Sequence, residues 1–296
     1  MGAGGEGSMT LSQDYTFQFK DDGIILNTDS TALPFFDVLK VTGLDSAPIR
    51  TTEREREGMS GGFVDADYSK IRTIVIDGIV YGNQQNIQQY LADLKSNYAP
   101  SSNVLPFYFR PAGMSQKVLF VKSLGLKYDW DTSLRTGKLP IQIQLKAEDP
   151  TIYGDIITST LTGLGGVASG RGYNKSYNFG YGGSTATSGA LNVFNSGSKP
   201  VGAMIYLYNV SNPAVVSDTT GARLNFNTNI GDGDFYEVDL YNRMVRLNKV
   251  ANRRNTLLPG STWFLLYPGN NQLRFLGTAY GTGTPKMIVQ FRPGDY

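Results

Sequence analysis

The stretch "LPIQIQLKAEDP", from Leu139 to Pro150, decides the fold class of the first half of the chain. Apolar and polar residues alternate from Leu139 to Ala147, which is the period of a β-strand with one buried face. Asp149-Pro150 ends the strand, because proline has no N–H for a sheet and restricts the residue before it. We therefore expect a domain boundary at Pro150. The apolar positions are Leu139, Ile141, Ile143, Leu145 and Ala147.

The segments before this strand predict further strands and one helix. "IRTIVIDGIVY", from Ile71 to Tyr81, is rich in β-branched residues, and its Asp77-Gly78 pair is interpreted as a hairpin turn. Between Gln85 and Tyr98 the period changes to that of an amphipathic helix. Residues 9–150 are therefore expected to form a domain of strands with one helix. The apolar stripe of the helix consists of Ile87, Tyr90, Leu91, Leu94 and Tyr98.

The second half of the chain predicts a different unit. Gly163 to Gly189 is rich in glycine, serine and tyrosine without an apolar period, so residues 151–190 are interpreted as a linker or arm. Eight short strand-like segments with Asn, Gly and Pro turns follow, among them "STWFLLYPG". This pattern is typical of an antiparallel β-sandwich or jelly roll, which we place at residues 191–296. The opening "MGAGGEGS", residues 1–8, is interpreted as an expression remnant, with Met9 as the native start.

The composition narrows the chemistry. The 296 residues contain no cysteine and no histidine, which removes thiolate nucleophiles, imidazole bases and the usual zinc ligands. The net charge of +2 comes without long basic runs, and no apolar run approaches the roughly 18 residues that a membrane span needs. Carboxylate chemistry, such as that of a glycosidase, remains an alternative. We assign no catalytic residue, cofactor or metal, and expect neither an enzyme nor a nucleic-acid or membrane partner.

Several segments together resemble the distal tail proteins of long-tailed bacteriophages. They include the charged "TTEREREGMSGGFVD", the exit from Ala147 to Tyr153, and the turn from Pro259 to Asn270. The resemblance implies a belt domain at residues 9–150 that closes into a sixfold ring, and a galectin-like sandwich at the C-terminus. It also implies a structural protein of the virion tail tip, assembled in the bacterial cytoplasm. The implied partners are further copies of the chain, the tail tube protein, a tail-associated spike or lysin, and receptor-binding proteins.

The charged stretch is the candidate for contact between subunits. In an extended strand the glutamates lie on one face and the arginines on the other, and like charges on one face need a neighbour of opposite sign. That neighbour is an adjacent strand or another subunit, while a solvated face and a cation site remain alternatives. Two glycines allow the chain to turn or bulge before it re-enters the core. The candidate interface residues are Glu53, Arg54, Glu55, Arg56, Gly61, Gly62 and Phe63.

Two further groups of residues have alternative interpretations. Trp263 and Tyr267 are candidate glycan contacts, which would make the protein a carbohydrate-binding module, although one face of their segment is expected to be core. "IGDGDFYEVD", from Ile230 to Asp239, is acidic enough for a calcium site. It lacks the spacing of a calcium loop, however, and is equally typical of a turn between strands.

Overall fold

The computed structural model describes residues 11–28, 32–51, 53–56, 58–60, 62–64, 68–129, 135–165 and 189–295. The chain divides into two compact units, one of Met1–Asp155 with Asp295–Tyr296 and one of Ile156–Gly294. The first unit thus ends near the expected boundary at Pro150. The predicted class, mainly β with one helix, is confirmed.

The first unit contains a large antiparallel sheet. Its central path runs β2-β1-β9-β10-β11-β8-β3, while β4 pairs with β7 and β5 with β6 in two separate ribbons. The strands are β1 (Phe17–Phe19), β2 (Ile25–Leu26), β3 (Phe35–Thr42), β4 (Ile49–Arg50), β5 (Glu53–Glu55), β6 (Gly62–Val64), β7 (Tyr68–Ser69), β8 (Arg72–Tyr81), β9 (Leu105–Phe109), β10 (Lys117–Tyr128), β11 (Lys138–Ala147) and β12 (Ile152–Tyr153).

The helix α1 spans Gln84–Asn97, as its apolar stripe predicts. Asn83 caps its first turn, since the side-chain oxygen of Asn83 accepts a hydrogen bond from the Asn86 N–H. The buried stripe packs on the inward residues of β8 and β11, so the core lies between helix and sheet. In the described ranges no helix is long and apolar enough to cross a membrane.

The interpretation of Asp77-Gly78 as a hairpin turn is wrong. β8 continues through both residues and pairs with β11 from Arg72 to Tyr81, with Gly78 opposite Ile141. The glycine serves a close approach instead. A Cβ at Gly78 would lie 2.4 Å from Cε1 of Phe36 and 2.5 Å from the carbonyl oxygen of Asp37. Gly78 therefore leaves room for the Phe36 ring, which is buried in the core.

The second unit is also antiparallel. Its main path runs β13-β21-β15-β17-β18-β19. The C-terminal half of β15 pairs with β16 and β20, and β14 pairs with β20. A short 3-10 helix lies at Arg254–Thr256. The strands are β13 (Ile157–Thr162), β14 (Ala190–Asn195), β15 (Met204–Ser217), β16 (Arg223–Asn225), β17 (Asn229–Asp239), β18 (Met244–Leu247), β19 (Ala251–Asn252), β20 (Gly269–Ala279) and β21 (Lys286–Phe291). The last strand, β22 (Gly294–Asp295), pairs with β12 and belongs to the sheet that contains β12.

Two expectations for this part of the chain need correction. The segment 151–190 is not a linker throughout, because β12 and β13 lie within it, and β13 pairs with β21 over its full length. Residues 166–188 of the glycine-rich segment lie outside the described residues. "STWFLLYPG" is not a strand either. It contributes one isolated bridge, between Leu266 and Val201, while Phe264 and Leu266 point into the core.

Candidate interaction surfaces

The charged stretch forms one strand of a short ribbon. β5 pairs with β6 so that Glu53 opposes Val64, Arg54 opposes Phe63 and Glu55 opposes Gly62. We call β5 and β6 together the charged ribbon. The structure thus brings the predicted charged residues and Gly62-Phe63 into register, which the sequence alone did not specify. Arg56 is exposed, and Gly61 lies outside the described residues.

We call the part of the chain between β3 and β8, residues 43–71, the excursion. A buried arginine lies at its C-terminal end. Arg72, at the start of β8, is 1% exposed, and its guanidinium donates to the carbonyl oxygens of Gly43, at 3.0 Å, and of Asp45. Burial lowers the pKa of Arg72, and the charge of Asp45 opposes that shift. Sequence reasoning missed this residue. Alternation along β8 could have revealed it, because Arg72 lies on the same strand face as Ile74 and Ile76, which are both in the core.

The same excursion leaves large apolar side chains in water. Ile49 is 60% exposed, Tyr68 60%, Met59 74% and Ile71 49%. The guanidinium of Arg50 lies 5.9 Å from the ring centre of its cross-strand partner Tyr68, a weak cation–π contact at an exposed site. Single exposed apolar residues are ordinary, but several within one short segment indicate a surface that binds a partner.

The predicted glycan contacts lie on the outward side of their segment. Tyr267 is 49% exposed and Trp263 is partly exposed, while the alternate residues are core. Asn271 fixes the backbone at Tyr267, accepting from its N–H at 2.9 Å and donating to its carbonyl oxygen at 2.7 Å. The glycan assignment for Trp263 and Tyr267 stays a prediction.

The acidic residues from Ile230 to Asp239 have separate partners. Asp232 accepts from the Thr282 N–H at 2.8 Å, the Thr282 hydroxyl at 2.6 Å and the Gly283 N–H at 2.8 Å, and these bonds lower its pKa. Asp234 accepts from Asn248 at 2.7 Å, and Glu237 pairs with Arg246. Among the described residues, no three such side chains are arranged to hold a metal ion. Asp232 ties β17 to the loop before β21.

Comparisons with known proteins agree with this architecture. Residues 197–293 match the family described as siphovirus-type tail component, C-terminal domain. The crystal structure of the Dit protein of phage SPP1, described as a paradigm of the hub adsorption apparatus in phages infecting Gram-positive hosts, matches with a TM-score of 0.66 at 16% identity. That match covers 95% of this chain and 99% of the SPP1 chain. A chain of the activated phage P2 baseplate with calcium matches with a TM-score of 0.56 at 11% identity, over 94% of this chain and 98% of that one. No curated protein matches the sequence.

The fold therefore defines a class, the two-unit, strand-rich proteins represented by these tail and baseplate structures. Within that class, residues 197–293 of the second unit match the siphovirus-type tail component family. The resemblance to the distal tail protein family found in the sequence is confirmed.

Proposed function

We propose that this chain is a structural subunit of a phage tail tip, six copies of which close into a ring that joins the tail tube to the baseplate and the host-adsorption apparatus. The observation that carries the proposal is the match to the SPP1 Dit protein over nearly the full length of both chains, together with the tail-component domain at residues 197–293. The role is assembly rather than catalysis.

The first unit supplies the ring contact. The strands of the charged ribbon have three residues each, and a two-stranded ribbon of this size is marginally stable in water by itself. Alternating charges on β5 select a neighbour of complementary pattern, and the apolar side chains of Ile49, Met59 and Tyr68 add area to bury there. We assign Glu53, Arg54, Glu55, Arg56, Gly61, Gly62 and Phe63 to this contact.

The remaining partners follow from the place of a ring at the end of a tail. The tail tube protein binds one side of the ring, and the tail-associated spike or lysin binds the other. Receptor-binding proteins attach at the periphery. The support for these partners is the family resemblance, and the protein accordingly belongs to the virion after assembly in the host cytoplasm.

Native mass spectrometry and negative-stain microscopy of the purified chain, alone and mixed with its tail tube protein, test the ring. Sixfold rings are the expected result in at least the mixture, because free subunits of such assemblies can stay monomeric. A protein that remains monomeric under both conditions would refute the ring.

A charge reversal tests which surface makes the contact. R54E/R56E is expected to abolish rings while leaving the melting temperature of the single copy unchanged, because the proposed role of these charges is to contact another copy. The matched control is R253E/R254E, two exposed arginines of the second unit, which should assemble as the native chain does. If R54E/R56E unfolds the single copy, the ribbon's charges pair within one chain and the interface assignment is wrong.

A further inference from the structure

The second unit has an aromatic patch on the outward side of its main sheet. Along β15 the residues Ile205 and Leu207 are fully buried, so Tyr206 and Tyr208 point to the opposite face. Strand register places Phe235 of β17 directly beside Tyr208. The ring centres of Phe235 lie 5.5 Å from that of Tyr208 and 5.9 Å from that of Tyr206. All three rings are partly exposed, and we call them the aromatic face.

Two lysines border this face. Lys286 is the cross-strand neighbour of Tyr208, and its ammonium lies 5.0 Å from the centre of the Tyr208 ring. The ammonium of Lys249, an exposed residue, lies 5.9 Å from the centre of the Tyr206 ring. Both side chains are long and carry compact charges, so either ammonium can turn from the ring to an anionic group while its stem stays in place. The border of the aromatic face therefore favours a ligand with negative charge.

An ion pair adjoins the aromatic face. Glu237 is opposite Tyr206 on one side and Arg246 on the other, and Glu237 is 4% exposed. An Arg246 Nη atom lies 2.9 Å from Oε1 of Glu237. Oε1 of Glu237 and Nε of Arg246 are enclosed by protein, so a ligand on the aromatic face does not reach them. The pair instead neutralises the Glu237 carboxylate beside Tyr206.

We propose that the aromatic face, with Lys249 and Lys286 at its border, is a binding site for a glycan that carries acidic groups. A pyranose ring has an apolar C–H face that can lie on an aromatic ring, while its acidic groups meet the two ammonium groups. This site differs from the one suggested by Trp263 and Tyr267, and it does not depend on ring formation by the first unit.

Isothermal titration of the full chain with three oligosaccharides tests the proposal. The probes are hexagalacturonate, which carries carboxylates, a phosphomannan fragment, which carries phosphate, and neutral maltohexaose. Binding of at least one acidic probe, tighter than that of maltohexaose and weakened by added salt, is the expected result. The two acidic probes distinguish carboxylate from phosphate as the preferred group. Absence of binding to both acidic probes, or equal binding of the neutral one, would overturn the proposal.

Matched variants locate the site. Tyr208→Ala is expected to weaken binding of the acidic probe about tenfold or more, as for an aromatic anchor at a binding surface. Tyr241→Ala removes another exposed tyrosine of the same unit and should leave affinity unchanged. If Tyr208→Ala lowers the melting temperature too far to be used, the double variant K249Q/K286Q replaces it, and it should weaken acidic probes selectively. Loss of binding in Tyr241→Ala, or unchanged affinity in both Tyr208→Ala and K249Q/K286Q, would refute the site.

Discussion

Gly78 offers a sharp test of how the first unit is packed. It lies in the middle of β8, opposite Ile141, where an extended backbone accepts any residue. The restriction comes from Phe36, whose ring is 2% exposed and lies where a side chain at Gly78 would go. Gly78→Ala is therefore expected to destabilise this unit, although alanine is usually the better residue inside a strand.

The magnitude follows from two opposing effects. Replacing glycine by alanine stabilises a strand interior by about 0.5–1 kcal/mol, because less backbone freedom is lost on folding. Overpacking a filled core costs about 1–3 kcal/mol. The higher part of that range applies here, because the new methyl group would lie 2.5 Å from the Asp37 carbonyl oxygen, a backbone atom that cannot change rotamer. We expect a net loss of about 1–2 kcal/mol, which for a unit of about 150 residues lowers the melting temperature by roughly 2–8 °C.

Thermal unfolding followed by circular dichroism measures this shift, and hydrogen exchange assigns it to the first unit. The control is Gly231→Ala in the second unit, where the added Cβ meets only Tyr280 at 3.6 Å, an ordinary contact. That variant should stay within about 0.5 kcal/mol of the native protein. A Gly78→Ala protein with an unchanged or raised melting temperature would refute the packing argument.

Two further predictions concern buried and titrating groups. Tyr98→Phe should leave the free energy of unfolding unchanged or raise it by about 1 kcal/mol, as measured by urea denaturation. The reason is that the Tyr98 hydroxyl is buried and has no hydrogen-bond partner among the described residues. A clear loss of stability would show that the hydroxyl does have a partner. Hydrogen bonds from Thr282 and then Gly283 hold the pKa of Asp232 below its usual 3.8, so its stabilising contribution is present above pH 3.8 and lost as the pH falls through the lower folded-state value. Asp232→Asn should therefore reduce the fall in melting temperature on acidification below that pH, and identical acid profiles for both proteins would contradict this role.

The helix α1 and the strand β11 could be predicted from the spacing of apolar residues along the chain. The helix follows from one apolar stripe, and β11 follows from strict alternation, because both patterns report burial of a single face. Asp77-Gly78 misled the sequence analysis because the reason for the glycine lies far away in the chain, at Phe36. "STWFLLYPG" alternates like a strand, but a ladder needs a neighbouring backbone along its whole length, and from Ser261 to Pro268 only Leu266 forms a β-bridge, with Val201.

The sequence also did not predict which surface side chains lie next to each other on adjacent strands, because their neighbours are distant in the chain. The alignment of Tyr206, Glu237 and Arg246 is a consequence of register among β15, β17 and β18, and a shift of one strand by one residue would move each of its side chains to the other face. The charged ribbon was easier to find, since its alternating charges are contiguous in sequence. Its partner strand, with Phe63 opposite Arg54, again required the structure.

Two features between residues 43 and 72 are unfavourable in a single copy of the chain. Arg72 is buried with Nε and one Nη atom unpaired, and an unpaired buried donor costs about 1–3 kcal/mol. The excursion that Arg72 anchors exposes Ile49, Met59 and Tyr68 as well. Both unfavourable features lie between residues 43 and 72, and neither improves the stability of one copy. A partner that covers the excursion removes the exposed apolar surface, while Arg72, through the carbonyls of Gly43 and Asp45, fixes where the excursion leaves the sheet. Arg72 thus helps to set the position of the proposed ring contact by fixing where this segment leaves the sheet.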